Sequence, residues 1–449
     1  MGTSNMNMSN IYLVSLGCDK NRVDGETMIG TLRMAGYSVI NDPEAAQAII
    51  VNTCGFIKDA VQESIDLILE LSEYKTHGFC RALIIVGCMA QRYKAEIQES
   101  IPEADVIIGV GEYENIANAV ANLIGAPVIG KNKSDPGMAR LAARSDDITP
   151  HIAYVKISEG CDNHCTYCTI PSIRGAYKSR TMESILEECR QLVASGAREL
   201  VLVAQDTALY GTDIYGEKKL PELLHKLAEK SGATWIRLMY AYPEHITQEL
   251  IDAMAELPQV CKYIDMPIQH SENAIIKRMG RKGTKSELAK LIGKLRKKMP
   301  DIAIRTTLIV GFPGETLANF NNMYKFVSDT KFDRLGVFPY SREEGTPAAT
   351  MPKQVRESTK LARLGRIMEL QQEIHFEKQK SHVGKTLPVM VDTQEQTGEY
   401  TGRTQWDAHE VDATVTFTSD EKLIQGNVYQ VLILDSNQYD LVGIYDNPN

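Results

Sequence analysis

Three cysteines, Cys161, Cys165 and Cys168, fall within eight residues of one another in the stretch Ser158 to Gly175, SEGCDNHCTYCTIPSIRG. They follow a short apolar run, AYVKIS. It is the first of six such runs, continuing with ELVLVAQ, TWIRLMYA, YIDMPIQ, IAIRTTLIVGF and RLGVFPYS, that alternate with helical segments such as ESILEECRQLVASG and KSELAKLIGKLRKKM. Repeated β-α units with right-handed crossovers predict a parallel sheet curving into an incomplete barrel of six units. The cysteine loop then lies at the rim where strands of such a barrel end and ligands bind. Thiolates so close in the chain converge, and three sulfur ligands without a fourth suit an iron-sulfur cluster with one iron left open. A structural zinc site wants a fourth Cys or His nearby. His164 is adjacent to Cys165 and poorly placed to serve, so it is read as a supporting or surface residue.

The first 145 residues carry the same alternation, with the runs IYLVSLGC, AIIVNTCGF, ALIIVGCMA and DVIIGV separated by candidate helices. This is the pattern of a Rossmann-like parallel α/β sheet. Cys18, Cys54 and Cys88 each stand where a run ends, and the carboxyl ends of parallel strands share one ligand-binding edge. The arrangement points to a second three-thiolate site, for an iron-sulfur cluster or for zinc, with small buried cysteines at strand-helix junctions as the bland alternative. Cys80, Cys189 and Cys261 have no partner at ligand spacing and are read as structural. A stretch rich in charge, Pro and Gly from Lys131 to Thr149 reads as a linker.

Beyond the barrel, TKLARLGRIMELQQEIHFEKQKSHVG predicts one long helix leading away, stopped at Gly384. Five short strand candidates follow, LPVMVDTQ, EYTGRTQW, EVDATVTFTS, NVYQVLILDS and YDLVGIYD, and predict a small antiparallel barrel. The expected domains are therefore residues 1–145, 146–381 and 382–449. From Lys385 onward three cations face eleven acids, a net of -8. Phosphate binding needs the opposite sign, so this portion argues against tRNA and for a basic partner, or else for a merely solvated acidic surface.

Nine cysteines, an odd number in a chain of 449 residues, argue for reduced thiols and a cytoplasmic setting rather than a disulfide framework. No signal-peptide pattern or apolar stretch of membrane-spanning length is present. The net charge of -9 also argues against a generic nucleic-acid binder.

The cysteine loop resembles that of the radical S-adenosylmethionine enzymes. The order of parts, a three-cysteine domain, a radical domain and a TRAM domain, resembles the methylthiotransferases over nearly the whole chain. That resemblance implies two 4Fe-4S clusters, on Cys161, Cys165 and Cys168 and on Cys18, Cys54 and Cys88, with S-adenosyl-L-methionine chelated at the open iron of the first. It further implies cofactor contacts from Tyr167, Gln205, Arg305 and Phe338, with Asp206, the MPIQH stretch (Gln269, His270) and LIVGFPGE (Leu308 to Glu315) lining the same rim. Standing alone, Gln205 and Asp206 could equally cap a helix, and GFPGE is an ordinary turn.

By the same resemblance, the first cluster cleaves S-adenosylmethionine to a 5′-deoxyadenosyl radical. That radical takes hydrogen from the substrate carbon, and the second cluster presents the sulfur that is methylated and delivered. The motifs SLGCDKNRVDGE, EGCDNHCTYCTIPSIRG and GRTQWDAHEVD are similar to the branch that modifies an aspartate β-carbon on the twelfth protein of the small ribosomal subunit. Gly25 departs from that pattern, which commonly has Ser before Glu26. The implied partners are a basic small-subunit ribosomal protein, a reduced flavodoxin- or ferredoxin-type electron donor and a sulfur donor. Two rivals are the same chemistry on a tRNA adenosine and a non-catalytic iron-sulfur redox sensor.

Overall fold

The computed structural model describes residues 9–125 and 150–446, so the expected linker lies outside the described residues. The chain forms two compact units: residues up to 148 together with 168–176, and residues 149–167 together with 177–449. The segment from the third cysteine of the loop, Cys168 to Ala176, thus belongs to the N-terminal unit, and the C-terminal barrel shares a unit with the central one.

The N-terminal unit holds strands β1 (Asn10–Ser15), β2 (Ser38–Ile40), β3 (Ala48–Thr53), β4 (Ala82–Gly87) and β5 (Val106–Ile108) in the order β2-β1-β3-β4-β5. All four pairings are parallel. Every residue of β3 and β4 is buried, because helices cover both faces of the sheet. Alternate residues divide between the faces: Ile50, Ile84 and Val86 pack on one side, Ile49, Val51, Leu83 and Ile85 on the other. The sequence pattern misses β2, whose three residues give no periodicity to read. Cys80 sits in the apolar core, as expected.

The second unit is built on β6 (Ile152–Lys156), β9 (Glu199–Val203), β10 (Trp235–Leu238), β11 (Val260–Asp265), β12 (Ala303–Val310) and β13 (Arg334–Pro339), with a two-residue pairing of β7 (Ser158–Glu159) and β8 (Lys178–Ser179) beside them. The six run in sequential order as one open parallel sheet, the incomplete barrel expected from six units. The long helix, Glu357–Lys380, does not lead away. It packs along β13, and several of its buried residues are polar. Lys360 Nζ donates to the Tyr340 carbonyl at 2.7 Å, Arg363 pairs with Glu315 at 2.8 Å and Gln371 donates to the Phe332 carbonyl at 3.1 Å. An apolar stripe would have announced this face; a polar one did not.

Strands β14 (Thr386–Gln396), β15 (Glu399–Thr404), β16 (Val415–Thr418), β17 (Val428–Ser436) and β18 (Leu441–Tyr445) close into a barrel in the order β14-β15-β16-β18-β17. It is not wholly antiparallel, since β16 and β18 pair in parallel. The reason is parity: strands alternating in direction around a closed ring must be even in number, so five leave one parallel seam.

This small barrel docks on the strands of the larger one through buried ions. Glu199 accepts from Arg237 Nε at 2.5 Å and from Arg403 Nη2 at 2.8 Å, while Asp392 accepts from Arg403 Nε at 2.7 Å and pairs with His151 at 2.8 Å. Arg334 holds Asp407, and Tyr263 donates to Asp412 at 2.8 Å. Three of the eleven acids, Asp392, Asp407 and Asp412, are therefore consumed inside the fold. Glu395, Glu399, Glu410, Asp420, Glu421, Asp435 and Asp446 remain exposed beside Lys385 and Lys422, so the surface is still acidic.

Candidate active site: two cysteine triads

In the N-terminal unit each cysteine of the triad has a glycine beside it, and each glycine is required by a close approach. Gly17 has φ +90°, and a Cβ there would lie 2.9 Å from Cys54 Cβ and 3.0 Å from its Sγ. Gly55 packs so tightly that a Cβ would meet the Met89 nitrogen at 2.7 Å and the Cys88 carbonyl carbon at 2.8 Å. Gly87, at φ +96°, abuts Asn52 Oδ1 and the Thr53 carbonyl, both 2.6 Å from an added Cβ. These contacts draw the three strand ends together, as the sequence predicted. Burial pushes the Cys88 thiol up to about 11 and raises that of Cys54, with the other thiols of the triad adding to the rise.

Below the thiols lies a polar floor. Asn21 Nδ2 donates to the carbonyls of Leu16 (2.6 Å), Asn52 (3.3 Å) and Thr53 (3.3 Å), and Asn52 Nδ2 donates to the Asn21 carbonyl at 2.8 Å and Ser15 Oγ at 3.1 Å. Gly25 faces this floor: a Cβ there would stand 2.2 Å from Ser15 Oγ, so Ser15 fills the space a larger residue would take. Arg174 enters the same unit, 1% exposed along its side chain, and pairs with Asp24 at 3.1 Å.

At the central sheet, Cys161 is buried and Cys165 half-buried. Burial pushes the Cys161 thiol up to about 11, with Asn163 opposing the rise. The loop is pinned at several points. Thr166 donates through its backbone to Met279 at 2.9 Å, Tyr167 packs edge-on against Phe312 with ring centroids 6.4 Å apart, and Asn163 donates to Asp206 at 2.9 Å. Asp206 also accepts from the Ala208 nitrogen at 3.1 Å and pairs with His245 at 2.7 Å, so it both caps the next turn and holds the loop. Tyr242 OH lies 2.7 Å from Cys165 Sγ, and the buried Arg281 guanidinium stands 3.8 Å from the centre of its ring. Burial raises the Tyr242 phenol well above its ordinary range, so it remains a donor.

Gln205 stands at the end of β9 and donates to Glu159 at 2.8 Å, leaving its buried Oε1 without a hydrogen-bond partner. His270 Nε2 and Ser271 Oγ, beyond the end of β11, are buried without a hydrogen-bond partner as well, the former 3.7 Å from Glu315 Oε2. Such atoms are few in folded proteins, and their placement beyond the ends of β9 and β11, two strands flanking β10, fits a polar ligand. Gln269, in the same stretch, holds the sparsely populated φ of +66°. The turn after β12 is built, not incidental: Glu315 accepts from the Gly311 nitrogen at 2.6 Å and is held by Arg363.

Two expected cofactor contacts sit elsewhere or differently. Arg305 lies in the first half of β12 and pairs with Asp265 at 2.9 Å and Asp412 at 3.7 Å, which commits its guanidinium to the docked small barrel and not to the cysteine loop. Phe338 is 54% exposed near the end of β13. Among the described residues no three His, Cys, Asp or Glu side chains stand close enough to share a single metal ion. Tyr242, His245, Arg281 and Arg174 were not singled out in the sequence. Only the Arg-Gly pair closing the cysteine loop offered a signal.

Residues 155–327 match the Radical SAM superfamily, residues 383–445 the TRAM domain and residues 10–109 the uncharacterized protein family UPF0004. A radical S-adenosylmethionine methyltransferase, TsrM from Kitasatospora setae, solved with cobalamin and a [4Fe-4S] cluster, shares the fold at a TM-score of 0.54 and 13% identity, over 87% of this chain and 78% of that one. The matched families together define a radical S-adenosylmethionine enzyme that carries a TRAM domain. Ribosomal protein uS12 methylthiotransferase RimO of Desulforamulus reducens is 48% identical over 97% of this chain and 99% of its own length, and that of Clostridium kluyveri is 46% identical over 98% and 99%. The chain belongs to the RimO family.

Proposed function

We propose that this protein transfers a methylthio group to the β-carbon of an aspartate in ribosomal protein uS12. The likeness to the RimO proteins over nearly the whole chain carries this reading, and the six cysteines at the strand ends agree with it. Cys161, Cys165 and Cys168 would hold one 4Fe-4S cluster, and Cys18, Cys54 and Cys88 a second. When bound, the clusters and S-adenosylmethionine supply the electron, the carbon-centred radical chemistry, and the sulfur and methyl group to be transferred.

The chain's own residues bind and orient. Gln205 Oε1 is available to accept from the amino group of the cofactor, and the exposed Phe338 ring offers a face for its adenine. Tyr167 wedges the loop against Phe312, and Tyr242 donates toward Cys165. No helix among the described residues is long and apolar enough to cross a membrane, and the thiols call for a reducing, cytoplasmic setting. The exposed acids of the small barrel suit a basic ribosomal protein better than tRNA. A reduced flavodoxin or ferredoxin would supply the electron, and a separate donor the sulfur. Mass spectrometry of small-subunit proteins and tRNA from cells with and without the gene tests the reading. A methylthio mass gain on uS12 is expected, and the same gain on tRNA alone would overturn it.

A further inference from the structure

Arg174 belongs to the cysteine loop by sequence, six residues past Cys168, yet it is buried in the N-terminal unit. The helix Ile170–Arg174 carries it there, anchored by the Thr169 hydroxyl donating to the Phe56 carbonyl at 3.4 Å. Its guanidinium makes a fork, with Nη1 on Asp24 at 3.1 Å and Nη2 on Asn21 Oδ1 at 3.4 Å. Asn21 in turn grips the carbonyls of Leu16, Asn52 and Thr53, which lead into Cys18 and Cys54. The short helix that carries Arg174 packs against the helix Cys88–Arg92, and the positive charge of the guanidinium opposes the rise that burial causes in the thiols of Cys88 and Cys54.

Burying a guanidinium is costly unless anions or acceptors surround it. Asp24 and Asn21 answer part of that cost, and the cysteine sulfurs, anionic once they ligate a cluster, would answer more of it. We propose that Arg174 is a positioning residue for the second triad: its fixed charge offsets that of the ligating thiolates and sets the reduction potential of the cluster they hold. A lysine would keep the charge but not the planar fork that spans Asp24 and Asn21. One short segment, Cys161 to Gly175, then serves both triads, supplying ligands to one and a counter-charge to the other.

This inference rests on the proposed function, and the test separates the two. The full chain with Cys161, Cys165 and Cys168 all replaced by Ala is reconstituted anaerobically with iron and sulfide, and its remaining cluster is titrated by EPR-monitored reduction. If that protein holds no cluster, the two-cluster reading itself fails. If it does, R174Q is expected to move the potential to more negative values, D24N to more positive values, and R174K to stay nearest the parent. Unchanged potentials, or R174Q and D24N moving the same way, would overturn the inference. Should R174Q not take up a cluster, D24N against the parent decides alone: a more positive potential supports the role, and an unmoved or more negative one ends it.

Discussion

Cys161, Cys165 and Cys168 span seven positions of the chain, whereas Cys18, Cys54 and Cys88 span seventy. The first set is gathered by peptide bonds within one loop. The second is gathered by strand pairing, and only because glycines at 17, 55 and 87 let three strand ends approach to contact. Their surroundings differ as well. Beside the loop the buried cation, Arg281, is separated from Cys165 by the Tyr242 ring it stacks on, while the sheet-edge thiols lie over a polar floor whose cation, Arg174, pairs with Asp24. A triad built by spacing tolerates change in the sheet beneath it; a triad built by topology does not.

Removing the ligands tests the division of labour most severely. Replacing Cys161, Cys165 and Cys168 with Ala is expected to abolish S-adenosylmethionine cleavage. Replacing Cys18, Cys54 and Cys88 should leave cleavage intact and abolish methylthiolated product, both read by chromatography of the reaction mixture. Product from the second variant would erase the distinction.

Next in size is Arg403, which bridges Glu199 and Asp392 beneath the central sheet. Truncation to Ala leaves Glu199 with Arg237 alone and Asp392 with His151 alone, and breaking the buried network is expected to cost about 3–5 kcal/mol in denaturant unfolding. Iron bound by the sheet-edge triad, in the other unit, should be unaffected. For that triad, Gly87→Ala forces a Cβ into the 2.6 Å contacts with Asn52 and Thr53 at a left-handed φ, a strain of about 1–3 kcal/mol. Iron content should fall from two clusters toward one, the loop triad keeping its share.

Acid should loosen the docked barrel first. Burial alone would raise Glu199, but Arg237 and Arg403 outweigh it and hold the carboxyl below its usual range; His151 and Arg403 do the same for buried Asp392. Groups with depressed folded-state values contribute stability above the unfolded values, about 4.3 for Glu and 3.9 for Asp, and lose it as pH falls through the depressed ones. Unfolding free energy measured from pH 6 downward should therefore drop below about pH 4, and less so in a variant lacking both carboxylates. The smallest effect is reserved for Tyr242→Phe, which removes one donor to Cys165. Cleavage of S-adenosylmethionine should slow about five-fold, the worth of roughly 1 kcal/mol.

The loop triad was legible because everything it needs lies in one contiguous stretch. The sheet-edge triad was legible through the coincidence of Cys with the ends of three apolar runs, although the sequence left zinc and plain burial open. Arg174 escaped notice because a single basic residue in IPSIRG carries no periodicity, and its partners Asp24 and Asn21 lie some 150 residues away. Arg305 was misplaced for a related reason: strand alternation gives a side chain's face but not which end of the barrel it serves, and Asp412 decided that from a distant segment. Lys360, Arg363 and Gln371 made the long helix look solvated until their partners on the sheet were in view.

The parallel seam of the small barrel sets a schedule for its assembly. Residues 441–445 are inserted between β16 and β17, both made earlier, so the growing chain carries two unpaired strand edges until that last strand of the barrel arrives. Closure of the ring thus waits on a single strand, and a lesion that kept residues 441–445 from pairing would leave an open, adhesive sheet beside an intact central barrel.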